Sequence, residues 1–469
     1  MPDSAPLFAP DTLLPDPLAQ ALYADVSSLP LICSHGHTDP AWFASDAPFS
    51  NPAELIVIPD HYVLRMLVSQ GHRLEDLGVA RRDGAPVETD PRTIWRRFAS
   101  AYHLFRGTPS RLWLDYTFDN LFGLTEPLTA QTADRAYDNI AAQLEQPNFR
   151  PRALFDSFHI EALATTDSAL DPLTHHRAIA DSEWSGRVIP TYRPDTITDP
   201  DAVGFASNLD RLSDLTGCDT GRWDGYLEAH RIRRQSFKDH GATATDHGVP
   251  TPRTADLSKP EAAALFDRVR TGKANPEDAD LFRAQMLTEM ARMSLDDGLV
   301  MQLHAGSHRN HHDRIFQLFG PDKGFDIPTR VDWVTGLGPL LNAVGMDPRL
   351  TLLLFTLDES SYARELAPLA GVYPCLRLGP AWWFHDSPEG MRRFREMTTE
   401  TAGFYNTVGF NDDTRAFPSI PARHDIARRV DCAFLSRLVR DRRLREDEAR
   451  ELAHDLTYAL PKAAYRLDG

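Results

Sequence analysis

Lysine is nearly missing from this chain. Only Lys238, Lys259, Lys273, Lys323 and Lys462 occur, so arginine supplies almost all of the 50 cationic residues. Cysteine is scarce too. Cys33, Cys218, Cys375 and Cys432 are far apart and form no CxxC pair, which argues against both a disulfide framework and a cysteine-rich zinc site. A reducing, cytoplasmic setting is expected. No run of 18 apolar residues occurs, and the stretch through Leu29 carries acids and prolines where an export signal would be basic and then apolar. Neither a membrane span nor a leader is expected. Internal repeats and low-complexity tracts are absent as well. The formal net charge of -17 sets up a field that repels polyanions, so nucleic acid and acidic membrane surfaces are not expected as partners. An anionic small molecule would need arginines clustered around it.

What remains is an ordinary globular composition, 42% hydrophobic and 25% charged, in 469 residues, a length one large barrel with insertions can fill. Short apolar runs at 29–33, 160–165, 187–192, 299–304, 350–356, 372–376 and 407–410 alternate with longer segments of helical periodicity. That alternation predicts an α/β fold, a (β/α)8 TIM-like barrel. Polar residues follow nearly every run, and in such a barrel His35, Asp167, Arg193, His304 and Asp413 would share the active mouth. The expected organisation is an N-terminal extension over 1–28 and a barrel over 29–59 and 149–469. A helical insertion over 60–148 follows the first strand, and a second, mostly helical insertion spans 212–293. The charged run 437–451 reads as a solvated helix face.

His35-Gly36-His37 follows the first run, and period-two geometry puts both imidazoles on one side, where they could face one metal ion. A carboxylate just past the last run would complete the site, and spacing alone does not choose between Asp412 and Asp413. No lysine occupies a strand end, which argues against a two-metal hydrolytic centre bridged by a carbamylated lysine. Asp60 is a plausible N-cap opening the first insertion with His61, Tyr62 and Arg65, a candidate lid. For Tyr62 to act as acid or base, its phenol pKa must fall, for which a nearby cation or metal is the obvious cause. Arg193 and Arg415, at strand ends, could fork a carboxylate. The histidine-dense 304–312 segment competes with His35 and His37 for a metal. His304 and Arg309 are assigned to substrate and His311 and His312 to a loop.

Taken together, these segments resemble the uronate isomerase family, a branch of the amidohydrolase superfamily. The resemblance rests on His35-Gly36-His37 with Asp39-Pro40, Asp60-His61-Tyr62 with Arg65, Thr165-Thr166-Asp167 and Pro190-Thr191-Tyr192-Arg193-Pro194-Asp195. It extends to Met301-Gln302-Leu303-His304 with Arg309-Asn310, Trp382-Trp383-Phe384 with Asp386, Asp413-Thr414-Arg415 and Arg423-His424. It implies a metal-dependent-hydrolase type barrel that interconverts aldouronates and ketouronates, with one divalent metal, zinc by first choice, on His35, His37 and Asp413. It also implies that His61, Tyr62, Arg193 and Arg415 surround the substrate, and Trp383 joins His304 and Arg309 as a substrate contact. Tyr62 with His35 would move the carbon-bound proton, and Asp413 would assist ring opening. Gly36, Thr38, Leu357-Asp358-Glu359 and Ser307-His308 depart from the family's usual residues. Two rivals stay open: a mononuclear hydrolase or deaminase on the same barrel, and a non-catalytic sugar-acid-binding protein. A homo-oligomer is compatible with an enzyme of this size.

Overall fold

The computed structural model describes residues 7–468; residues 1–6 of the expected N-terminal extension lie outside the described residues. Seven strands form one parallel series. They are β1 (Leu31–Cys33), β2 (Ile160–Ala164, resuming at Asp167–Ser168), β3 (Val188–Ile189, resuming at Tyr192–Arg193), β4 (Ala244–Val249), β5 (Val300–Ala305), β6 (Leu352–Thr356) and β7 (Leu376–Leu378). Each pairs with the next in parallel register, for example Cys33 with Leu163, Tyr192 with Thr245, Ala244 with Val300 and Leu352 with both Met301 and Leu376. A parallel bridge from Leu378 to Thr407 adds an eighth segment. The seam back to β1 is made by backbone bonds just beyond the strands: His37 N–H donates to the Thr414 carbonyl at 3.0 Å and Asp413 N–H to the His35 carbonyl at 3.2 Å. This is the (β/α)8 architecture.

Alternation along each strand separates two apolar surfaces. Ile32, Ala162, Ala164, Ile189, Ala244, Val300, Leu353, Phe355 and Val408 pack together as the barrel interior. Met301, Leu303, Leu352 and Leu354, one position away, pack outward with the surrounding helices. By the same parity Asp246 shares the inward side of β4 with Ala244, and His304 shares that of β5 with Val300. His304 lies near the C-terminal end of β5, where a barrel keeps its chemistry, and Asp246 lies midway along β4.

Between β1 and β2 the described chain is helical without a strand. Its helices start where side-chain caps stop the preceding loop: Asp60 accepts from the Tyr62 and Val63 amides, Asp90 precedes Pro91, and Thr108 precedes Pro109. Trp95, Phe98, Tyr102, Phe105 and Phe118 give this segment an aromatic core of its own. The 212–293 segment is not an insertion as a whole, because it contains β4, paired on both sides. Helix Trp223–Asp239 leads into β4 and helix Pro276–Asp297 into β5, which is β/α alternation with extra helices, Phe205–Thr216 before β4 and Lys259–Arg270 before β5. The seventh strand also differs from the 372–376 expectation: it begins at Leu376, while Val372 is exposed in a turn. Among the described residues no helix is long and apolar enough to cross a membrane, and the four cysteines are unpaired.

Candidate active site

Three chain-distant elements converge on Asp413. Its Oδ1 lies 3.4 Å from His35 Nε2 and 3.1 Å from His37 Nε2. The His304 ring stacks on His35 at 4.8 Å and on Phe355 at 4.1 Å, and its Nδ1 is 2.6 Å from Asp246 Oδ1. A carboxylate on Nδ1 fixes the imidazole's orientation and leaves Nε2 as the free nitrogen. His304 Nε2 and His35 Nδ1 are buried without a hydrogen-bond partner, and Asp413 Oδ1 is buried against the two Nε2 atoms. One donor atom from each of His35, His304 and Asp413 falls within 4.8 Å of the others. Orphaned imidazole and carboxylate donors at this spacing fit a single divalent cation, held by about three ligands with a position left open. Burial opposes charge on Asp413, but the two imidazoles hold its carboxyl well below the usual range, so it stays an anionic donor.

The two adjacent acids differ in their surroundings. Asp412 turns away from the site and accepts from His424 Nε2 at 3.1 Å, with the Cys33 thiol 3.7 Å from the same imidazole. Asp413 faces inward from a left-handed backbone with φ of 40°, and its second oxygen accepts from Trp382 Nε1. Trp383 is left-handed as well, φ 53°. Side chains rarely adopt this conformation, and it costs on the order of 1–3 kcal/mol per residue. Here it re-aims two neighbouring side chains at the cavity.

That cavity is lined by His37, His61, Tyr62, Trp382, Trp383 and Asp413 together with Arg309, Arg415 and Arg423. The helical insertion supplies one wall. Asp60 caps helix His61–Ser69, which presents His61 and Tyr62, and the Tyr62 hydroxyl donates to the Trp383 carbonyl at 3.2 Å. Burial, reinforced by Arg415, pushes the His61 imidazole down to about 3, so it is neutral at physiological pH. A loop after β5 supplies the opposite wall and meets the arginines with acids: Arg415 donates to Asp322 at 2.9 Å and Arg309 to Asp326 at 3.3 Å. Burial works against the Asp322 charge, but Arg415 overrides it and holds the carboxyl down to about 2. These arginines are therefore already aimed at a carboxylate.

A profile described as glucuronate isomerase matches residues 5–465. The chain is 66% identical over 466 residues to a uronate isomerase of Mesorhizobium japonicum, covering 98% of this chain and 99% of that one. The chain belongs to the glucuronate isomerase family. A uronate isomerase of Rhizobium meliloti is 67% identical over the same length. The crystal structure of glucuronate isomerase from Caulobacter crescentus superposes with a TM-score of 0.97 at 58% identity, covering 99% of this chain and 98% of that one. The uronate isomerase of Thermotoga maritima keeps a TM-score of 0.90 at 27% identity, covering 98% and 99%. The glucuronate isomerase fold thus carries this site, and the chain is an enzyme.

Of the expected site residues in this glucuronate isomerase family member, His37, His61, Tyr62, Arg309, Trp383, Asp413 and Arg415 line the cavity, and His35 and His304 sit buried behind it. Arg193 stands beside the donor set: its Nε donates to Asp195 at 2.7 Å and its Nη1 is 3.3 Å from Asp246, the acid that also holds His304. Asp246, Asp322 and Asp326 were not anticipated. Asp246 lies in a segment read as insertion; the signal for it was the short Ala244–Val249 run, whose inward positions are Ala, Asp and Gly instead of large apolar residues.

Proposed function

We propose that this enzyme interconverts aldouronates and ketouronates, glucuronate with fructuronate and galacturonate with tagaturonate, through a cis-enediol. The observation that carries the reading is a cavity shared by a cation donor set, the Tyr62 phenol and two arginines already poised on carboxylates. The substrate carboxylate takes the place of Asp322 and Asp326 on Arg415 and Arg309, which fixes the reacting end near Tyr62 and the His35, His37 and Asp413 cluster. Tyr62 Oη, as phenolate, takes the proton from C2 and leaves an enediolate. The remaining hydroxyl proton passes from O2 to O1, and the carbon-bound proton returns at C1, giving the ketose. His35 assists that proton movement, and Asp413 assists opening of the sugar ring. His35, His37 and Asp413 would hold a divalent cation, Zn²⁺ by first choice, with His304 alongside; when bound it supplies Lewis-acid stabilisation of oxygen-centred negative charge. Trp383 and the neutral His61 shape the cavity around the sugar chain.

The test is NMR in D2O with metal-supplied protein and glucuronate or galacturonate in turn. Ketouronate carrying solvent deuterium at C1 supports the enediol route. No ketose from either sugar would sink the proposal and favour a hydrolase on the same barrel. A cytoplasmic setting, supported by the unpaired cysteines, and a homo-oligomer complete the reading; sedimentation equilibrium reports the latter.

A further inference from the structure

Arg423 belongs neither to the donor set nor to the carboxylate-facing pair, yet it is 2% exposed and its side chain reaches the cavity wall. It rises from helix Ile420–Arg440, which follows the eighth segment. Nη1 donates to Asp386 Oδ2 at 2.7 Å and to the Asp412 carbonyl at 3.3 Å, and Nε donates to Ser419 Oγ at 3.3 Å. The guanidinium carbon stands 3.7 Å over the Trp113 ring and 5.6 Å from the Tyr62 ring centre. Among the described residues no acceptor is bonded to Nη2. A cation buried this deeply has a large desolvation cost, and a single salt bridge is a weak reason to retain it.

The proposed reaction supplies a stronger reason. A proton shuttle on Tyr62 needs negative charge on Oη, and the surroundings resist it: burial is the largest opposing influence, with Asp386, Asp413 and Asp60 adding to it. Arg65 also stands 5.6 Å from the Tyr62 ring, one turn along the same helix, but it is the more solvated of the two cations. Arg423 is held by three bonds from the barrel side and by the face of Trp113 from the insertion, so its charge is fixed before substrate arrives. Preorganised charge of this kind requires no reorganisation during the reaction. We infer that Arg423 is the positioning residue for Tyr62: clamped between Asp386 and Trp113, its guanidinium stabilises the charged phenolic oxygen while the proton moves between C2 and C1. This rests on the role given to Tyr62 above.

The experiment uses the full-length, metal-supplied enzyme in Arg423→Met, Arg423→Lys, Tyr62→Phe and both Arg423 changes combined with Tyr62→Phe, with folding checked by near-UV circular dichroism. Arg423→Met should lower kcat about 100-fold while KM stays within roughly 3-fold. Arg423→Lys, which keeps the charge, should recover about 10-fold of that loss. In the Tyr62→Phe background either change should alter the residual rate by less than about 3-fold, because both residues act in one step. A loss confined to KM, a lysine variant no better than methionine, or losses that multiply in the double variants would overturn the inference. Should the methionine variant not fold, the lysine variant alone and combined with Tyr62→Phe reads the same coupling. If Tyr62→Phe itself turns over normally, the role of Tyr62 fails and takes this inference with it. If Tyr62→Phe is inactive and Arg423→Met is not, this inference fails alone.

Discussion

Asp246→Asn probes the hub beneath the donor set. The native carboxylate is 1% exposed and serves His304 Nδ1 at 2.6 Å and Arg193 Nη1 at 3.3 Å. The amide keeps the volume, removes the charge and offers one acceptor oxygen where there were two. If that oxygen stays with His304, an N–H is turned against the guanidinium. Stripping one partner from a buried ion pair costs about 3–5 kcal/mol. Arg193 retains Asp195 at 2.7 Å, so the lower end, about 3 kcal/mol, is expected. Unfolding entropy near Tm is about 2.1 cal/mol/K per residue, hence about 1 kcal/mol/K for 469 residues, and Tm should fall by about 3 °C. The second effect is chemical: without a fixed acceptor on Nδ1 the His304 tautomer is no longer set, and kcat should fall about 10–100-fold. Scanning calorimetry and the ketose assay measure the two. A variant that melts and turns over like the native enzyme would refute the assignment of Asp246 as the anchor of His304.

Arg415→Met should raise KM for a uronate well beyond its effect on kcat, whereas Arg193→Met should act mainly on Tm; steady-state kinetics with thermal melts separate the two. His37→Ala and His304→Ala, assayed for bound Zn²⁺ by atomic absorption after dialysis, decide which imidazole joins His35 and Asp413, since the true ligand's removal lowers metal content and the other's does not. Acid stability tests His230, which burial pushes from 6.5 to about 3. The unfolded chain takes up that proton below about 6.5 and the folded site refuses it until about 3, so the contribution is complete above 6.5 and is lost as pH falls. At pH 5 the loss is about 2 kcal/mol. His230→Gln should flatten the fall of Tm between pH 7 and 5, and an unchanged slope would count against it.

The ring of strands was legible because most of its members are short apolar runs buried on both faces, and such runs survive in sequence as Leu299–Leu303 or Leu350–Phe355 do. β4 was not, because its inward face carries the acid that anchors His304, and an Ala-Asp-Gly face carries no apolar signal. The same conflict explains Arg193. A guanidinium after a strand reads as an anchor, and only the packed structure reveals that Asp195 and Asp246 hold it. Asp412 and Asp413 are equivalent on spacing, and what separates them is His424, which comes from the next helix to capture the first. Asp322 sits on a loop with no periodicity, where nothing local marks it as the partner of Arg415.

The seam of the ring joins residues from opposite ends of the chain: His35 and His37 come from the first strand, and Asp413 comes after the eighth segment. During synthesis the two imidazoles leave the ribosome early and wait, on the order of tens of seconds at about 5–20 residues per second, for the acid that completes their set. A chain stalled or clipped before residue 413 lacks both that carboxylate and the backbone bonds that close the ring onto β1.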